Sequence, residues 1–111
     1  MDAQLRAINN PTRREILRRL ASGEQSAGAV AGHFRLTRPA ISLHLGVLRD
    51  AGLITVRKQA QSRLYAINPV AVDQLRARFD QFWDDALPRL KTVVESEYRK
   101  KRKRKGKKKH E

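Results

Sequence analysis

The stretch from Thr37 to Leu53, TRPAISLHLGVLRDAGL, constrains the fold more than any other part of the chain. Thr37 offers a hydroxyl that can accept from a free N–H of a first helical turn. Pro39 falls within that turn, where a missing N–H costs little. Ile41, Leu45 and Leu48 recur at i, i+4 and i+7 and make one apolar stripe. Ala51-Gly52 closes the helix, with Gly52 able to take the left-handed conformation that helix ends favour. The opposite face carries Pro39, Ser42, Leu43 and Gly46, with Arg38 and Arg49 on its flank. A helix held from behind, with small, polar and basic groups in front, suits a DNA major groove.

The flanking sequence gives this helix a setting. Leu5 and Ile8 mark a short first helix. Asn10-Pro11, a cap followed by proline at the first helical position, starts a second helix through about Ala21. Its inner face is Ile16, Leu17 and Leu20, and its outer face is the basic set Arg13, Arg14, Arg18 and Arg19. Ser26 can cap a third helix to about Phe34, with Val30 and Phe34 inward. Arg35-Leu36 leaves room only for a tight turn before Thr37, which is the helix-turn-helix arrangement.

After Gly52 the period changes to that of strands. Leu53–Lys58 and Arg63–Ile67 are β-branched or aromatic runs separated by residues 59–62, and they predict a β-hairpin, the wing of a winged helix. Asn68-Pro69 restarts helix, and Val72, Leu75, Phe79, Phe82, Trp83, Ala86, Leu90 and Val94 continue at three- and four-residue spacing. Pro88 is expected to kink or split this segment. Its apolar surface is broader than so small a domain can bury. Part of it serves the core, and the rest predicts a helical dimer interface with the first helix: Leu5, Ile8, Leu75, Phe79, Phe82, Trp83, Leu87, Leu90 and Val94. Two-fold pairing sets two groove helices one DNA turn apart, about 34–36 Å.

Composition bounds the chemistry. The 111 residues allow one domain with its own core. The absence of cysteine excludes disulfides, thiolate metal sites and cysteine nucleophiles. No apolar run reaches the roughly 18 residues of a membrane span, and the N-terminus does not have a signal-peptide pattern, so the expected location is cytoplasmic. The net charge of +14 points to a polyanionic partner. Its distribution is uneven. Between Arg99 and Lys109 every residue but Gly106 is basic, so residues 99–111 carry +9 and residues 1–98 only +5. The expected organisation is a folded body over 1–98 and a disordered polybasic tail over 99–111.

These residues resemble the ArsR-type winged-helix repressors of bacteria. The matching pieces are Asn10-Pro11-Thr12-Arg13-Arg14-Glu15-Ile16-Leu17, Ser26-Ala27-Gly28, and Arg38-Pro39-Ala40-Ile41-Ser42 with His44-Leu45 and Leu48. Ala51-Gly52-Leu53-Ile54 and Arg63-Leu64-Tyr65 complete the set. Phe82-Trp83-Asp84 with Leu87 and Leu90 is similar to a subgroup of autorepressors often encoded beside small ligand-binding proteins. The resemblance implies a mainly α fold with a small β-hairpin, a homodimer paired through its N- and C-terminal helices, an inverted-repeat operator and repression released by an effector. The effector is often a metal in this family, but the cysteines of one sensor type are absent here. The histidines of the other are missing too, since none lies between Arg49 and Arg99. Asp80, Asp84 and Asp85 cluster at helical spacing, but carboxylates without imidazole make a poor transition-metal site, and a solvated face is the plainer reading. No metal, cofactor or membrane partner is expected, and any effector ligand is left open.

The resemblance places Thr37, Arg38, Pro39, Ser42, Leu43 and His44 at or near the groove, with Arg57, Lys58 and Arg63 on the wing. Thr37 and Ser42 suit phosphate through their hydroxyls, and Arg38 suits a guanine edge or a phosphate. Leu43 stands where the family often has a long polar residue, and either packs on a thymine methyl or sits at the helix edge. Gly46 stands where a basic residue is common. His44 is expected to pack against the wing or bind phosphate rather than a metal. An enzyme is not expected, because no nucleophile–base spacing and no phosphate-binding glycine loop is present. The leading expectation is a dimeric, sequence-specific DNA-binding repressor. The alternative is a nucleoid-type or RNA-binding protein whose basic tail does the binding.

Overall fold

The structure, a computed structural model, describes residues 2–109, with side chains to residue 102. The elements follow the order α1 (Ala3–Ile8), α2 (Pro11–Leu20), β1 (Gln25–Ser26), α3 (Ala27–Ala31), α4 (Arg38–Asp50), β2 (Ile54–Gln59), β3 (Ser62–Ile67) and α5 (Pro69–Lys109). Two compact units result, Met1–Leu75 and Arg76–Glu111. No helix among the described residues is long and apolar enough to cross a membrane.

Local chemistry explains where α2, α3 and α4 begin. Asn10 Oδ1 accepts from the Arg13 N–H at 3.0 Å, Ser26 Oγ from Ala29 at 3.1 Å, and Thr37 Oγ1 from Ala40 at 3.2 Å. Each closes a first turn whose donors have no helical partner. The end of α4 is equally well defined. The Leu53 N–H donates to Leu48 O at 3.0 Å and the Gly52 N–H to Arg49 O at 2.9 Å, with Gly52 at φ +79. This paired closure needs a residue in the left-handed region at Gly52. It also brings Leu53 and Leu48, both fully buried, onto one another.

The stripe Ile41, Leu45 and Leu48 is wholly buried, against Ile16 and Leu20 of α2, Val30 of α3 and Tyr65 of the wing. Burying each of these large side chains stabilises the fold by about 1.5–3 kcal/mol. Asn68 joins the wing to the end of α4: its Nδ2 donates to Gly52 O at 3.0 Å, while its Oδ1 accepts from Ala71 at 3.3 Å as the cap of α5.

Four expectations change. The hairpin is part of a three-stranded antiparallel sheet in the order β1-β3-β2, with Gln25 opposite Tyr65 and Ser26 opposite Leu64. A two-residue strand is too short to leave a periodic signal in sequence. The strands run to Gln59 and Ser62, so only Ala60 and Gln61 turn, with Ala60 at φ +54. Helix α3 ends at Ala31 with Gly32 as its cap, and Phe34 packs on the core from the following turn. Helix α5 is not split at Pro88 and continues through Lys109, over residues where a disordered tail was expected. Lysine and arginine are good helix formers, and extending an established helix costs far less than starting one. Lys100 pairs with Glu97 at 3.7 Å on this stretch.

Candidate nucleic-acid interface

The outer face of α4 is open. Thr37, Arg38, Pro39 and Ser42 are exposed, and Leu43 is 73% exposed. Leu43 is therefore not packed within this chain. A Cβ built on Gly46 meets nothing within 4 Å, so the helix surface beside Leu43 is shallow and unobstructed.

Beside this face lies a cleft of about 440 Å³, formed by the start of α3, the first turns of α4 and the wing. Ser26, Ala27 and Gly28 line one side, Arg38 and Ser42 another, and Gln61, Ser62, Arg63 and Tyr65 the third. Arg38 lies across the first turn of α3: a Cβ on Gly28 would sit 3.2 Å from Arg38 Nη1. Glycine at 28 therefore provides the space the guanidinium occupies. Sequence reasoning found Arg38, Ser42 and Arg63, but not Ser26, Gly28 or the wing-tip pair Gln61-Ser62. Their signal existed only once the register of the sheet was known.

That register also separates the wing cations. Lys58 stands directly opposite Arg63, two residues along from the Val56–Tyr65 pair. Side chains directly opposite share a sheet face, so Lys58 and Arg63 lie on the face of Tyr65, whose ring is buried in the core. Like charges directly opposite one another repel. A phosphate placed between them turns that repulsion into two attractions, while water alone only screens it.

Two of the expected residues have partners within the chain. Arg57 projects to the other sheet face and is held there by Glu24: Nε donates to Oε2 at 2.9 Å and Nη2 to Oε1 at 2.5 Å. The hydrogen bond and charge of Arg57 hold the Glu24 carboxyl below its usual range and raise Arg57 in turn. The alternation of β2 is the cause, because adjacent residues 57 and 58 must face opposite ways. His44 meets the second helix, with Nδ1 3.3 Å from Arg13 Nη1. Burial, and then the charge of Arg13, lower its pKa, so the ring is neutral at neutral pH. Arg13 is correspondingly not a solvated outer-face charge. Its Nε donates to Ala7 O at 2.5 Å and its Nη2 to Arg6 O at 3.1 Å. Arg18 and Arg19 do lie outward and pair with Glu15 at 2.7 and 3.2 Å.

Among the expected dimer residues, Leu75 is buried in the chain's own core at 6% exposure, since the first turns of α5 pack there through Ala71 and Leu75. Leu5 and Ile8 are half-buried against that core. In contrast, Phe79, Phe82, Trp83, Leu87, Leu90 and Val94 are all exposed. Phe82 and Trp83 meet edge to face, with centroids 5.1 Å apart. Along the same helix, Asp80 pairs with Arg76 at 2.5 Å and Asp85 accepts from Gln81 at 3.2 Å.

Comparison with known proteins agrees with this geometry. A family described as a helix-turn-helix domain matches residues 8–57. The HTH-type transcriptional regulator Rv2034 of Mycobacterium tuberculosis is 36% identical over 96 residues, which are 86% of this chain and 90% of that protein. An arsenical resistance operon repressor of Staphylococcus xylosus is 33% identical over 68% of this chain and 73% of its own length. A crystal structure of a possible transcriptional regulator for arsenical resistance superposes with a TM-score of 0.72 at 47% identity, over 81% of this chain and 93% of that one. A homodimeric winged helix-turn-helix DNA-binding domain from Mycobacterium bovis, described as a possible ArsR-family regulator, gives a TM-score of 0.62 at 28% identity, over 77% of this chain and 79% of its own.

Proposed function

The chain belongs to the ArsR family of winged-helix transcriptional regulators, and from that footing we propose that it is a homodimeric repressor of an inverted-repeat operator. The observation that carries this reading is the cleft shared by Arg38, Ser42 and Arg63, beside a bare α4 face. Three elements converge there on one space with hydroxyl and guanidinium donors, which suits the sugar–phosphate backbone running past a groove-bound helix. Leu43 supplies an apolar contact for a thymine methyl, and Arg38 a donor fork for guanine or phosphate. Few hydrogen-bonding side chains face the bases, so DNA shape and backbone contacts carry much of the selectivity.

The dimer surface of this reading is the exposed row Phe79, Phe82, Trp83, Leu87, Leu90 and Val94, together with Leu5 and Ile8. Residues 1–98 form the reading and pairing body, and residues 99–111 an arm that adds sequence-independent attraction to the duplex. Footprinting on the promoter of the protein's own gene tests the proposal. Two protected half-sites related by a dyad, about 10–10.5 base pairs apart or a multiple of that, are expected. Featureless coverage would favour a nucleoid-type or RNA-binding protein driven by the arm, whose +9 charge is the observation behind that second reading.

A further inference from the structure

Arg13 stands where three helices meet. Its Nε and Nη2 donate to Ala7 O and Arg6 O, carbonyls of the last turn of α1, and its Nη1 lies 3.3 Å from Nδ1 of His44 on α4. Its own backbone N–H is taken by the Asn10 cap of α2. A guanidinium has donors only and keeps its charge. The contact with His44 therefore has one sense: Arg13 donates and Nδ1 accepts. A neutral imidazole that accepts at Nδ1 carries its proton on Nε2. Among the charged side chains of these helices, Arg13 is the one whose charge bears on the ring. Arg6 contributes its carbonyl. His44 is half-buried, between the exposed Leu43 and the buried Leu45.

We propose that Arg13 is a positioning residue for DNA binding: it fixes His44 as an Nε2–H donor on α4, which a phosphate oxygen of bound DNA can accept from. Phosphate oxygens only accept, so an Nε2–H attracts one, whereas the other tautomer turns a lone pair toward it and repels it. The same guanidinium bonds α1 to α2, so the short N-terminal helix and the donor state of the reading helix depend on one side chain. The proposal rests on the reading of α4 as the DNA-facing helix.

The test uses Arg13→Met and Arg13→Gln in the full chain. Long-range proton–nitrogen spectra of the DNA-free protein report the His44 tautomer, with Nε2–H expected in the unaltered chain. Methionine removes the donor and allows Nδ1–H to populate; an unchanged tautomer in that variant overturns the proposal. Should methionine loosen the fold, glutamine decides alone. It stays polar but offers an acceptor as well as donors, so Nδ1–H is expected to populate there too, and an unchanged tautomer overturns the idea. On a duplex carrying the footprinted site, Arg13→Met weakens binding about tenfold. Combined with His44→Ala, Arg13→Met costs less than it does alone, whereas fully additive losses overturn the coupling. The spectral arm needs no DNA. A chain that binds no specific site fails the functional reading and leaves the tautomer result standing.

Discussion

At the scale of single residues, Gly46 combines a cost with an opening. A glycine inside a helix forgoes about 0.5–1 kcal/mol relative to alanine, and its missing Cβ faces open space. Gly46→Arg is expected to raise thermal stability by about that amount. It should also steepen the salt dependence of DNA binding by about 0.9 per subunit, if the added cation meets one phosphate. A salt titration and a melting curve read the two effects separately, and a steeper slope without added stability would contradict the packing argument. His44 gives a pH prediction. Its folded pKa lies below the ordinary value of 6.5, so as pH falls the unfolded chain takes the proton first. Stability is full above about that value and declines as pH drops from there toward the folded pKa. Urea midpoints compared at about pH 7.5 and about pH 5.5 should show the fall, and His44→Gln should flatten it. Glu15 and Glu24 act in a separate, lower window, because both carboxyls are held below 4.5 by arginine partners.

At the scale of elements, what could be seen in the sequence depended on whether a local rule was enough. Helix α4 was visible almost to the residue, because its cap, stripe and glycine stop are all written within seventeen positions. The wing strands were visible from their β-branched runs. The two residues of β1 were not, since a strand that short exists only through its partner β3. Arg57 and Lys58 looked equivalent as neighbouring cations, and only the register separates them. Arg13 looked solvated because a helical wheel shows its face but not the α1 carbonyls that its guanidinium reaches. The wing turn supports a further prediction. Ala60 holds a left-handed backbone, which costs an L residue about 1–2 kcal/mol. Ala60→Gly removes that strain against a smaller loss of chain entropy, and a gain of about 0.5–1 kcal/mol in denaturant unfolding is expected. For α5, Trp83→Glu places a charge in the exposed apolar row. Sedimentation should show a shift from dimer to monomer with the melting of residues 1–75 little changed, and a variant that remains dimeric would argue for another pairing surface.

At the scale of the whole molecule, most of the net charge lies beyond residue 98, apart from α4 and the wing. Deleting residues 99–111 removes +9 per subunit. If about five of those charges meet phosphates, the salt slope falls by about 4–5 per subunit and non-specific affinity falls with it, while preference for the operator survives. Loss of that preference would place recognition in the arm. The small strand β1 has a consequence of another kind. Ser26 is at once the last residue of β1, opposite Leu64 of the wing, and the residue whose hydroxyl starts α3. The wing is thus not a free flap: it is paired with the residue that starts α3, the helix that precedes α4. Moving the wing therefore moves the start of α3 as well, because one residue, Ser26, belongs to both.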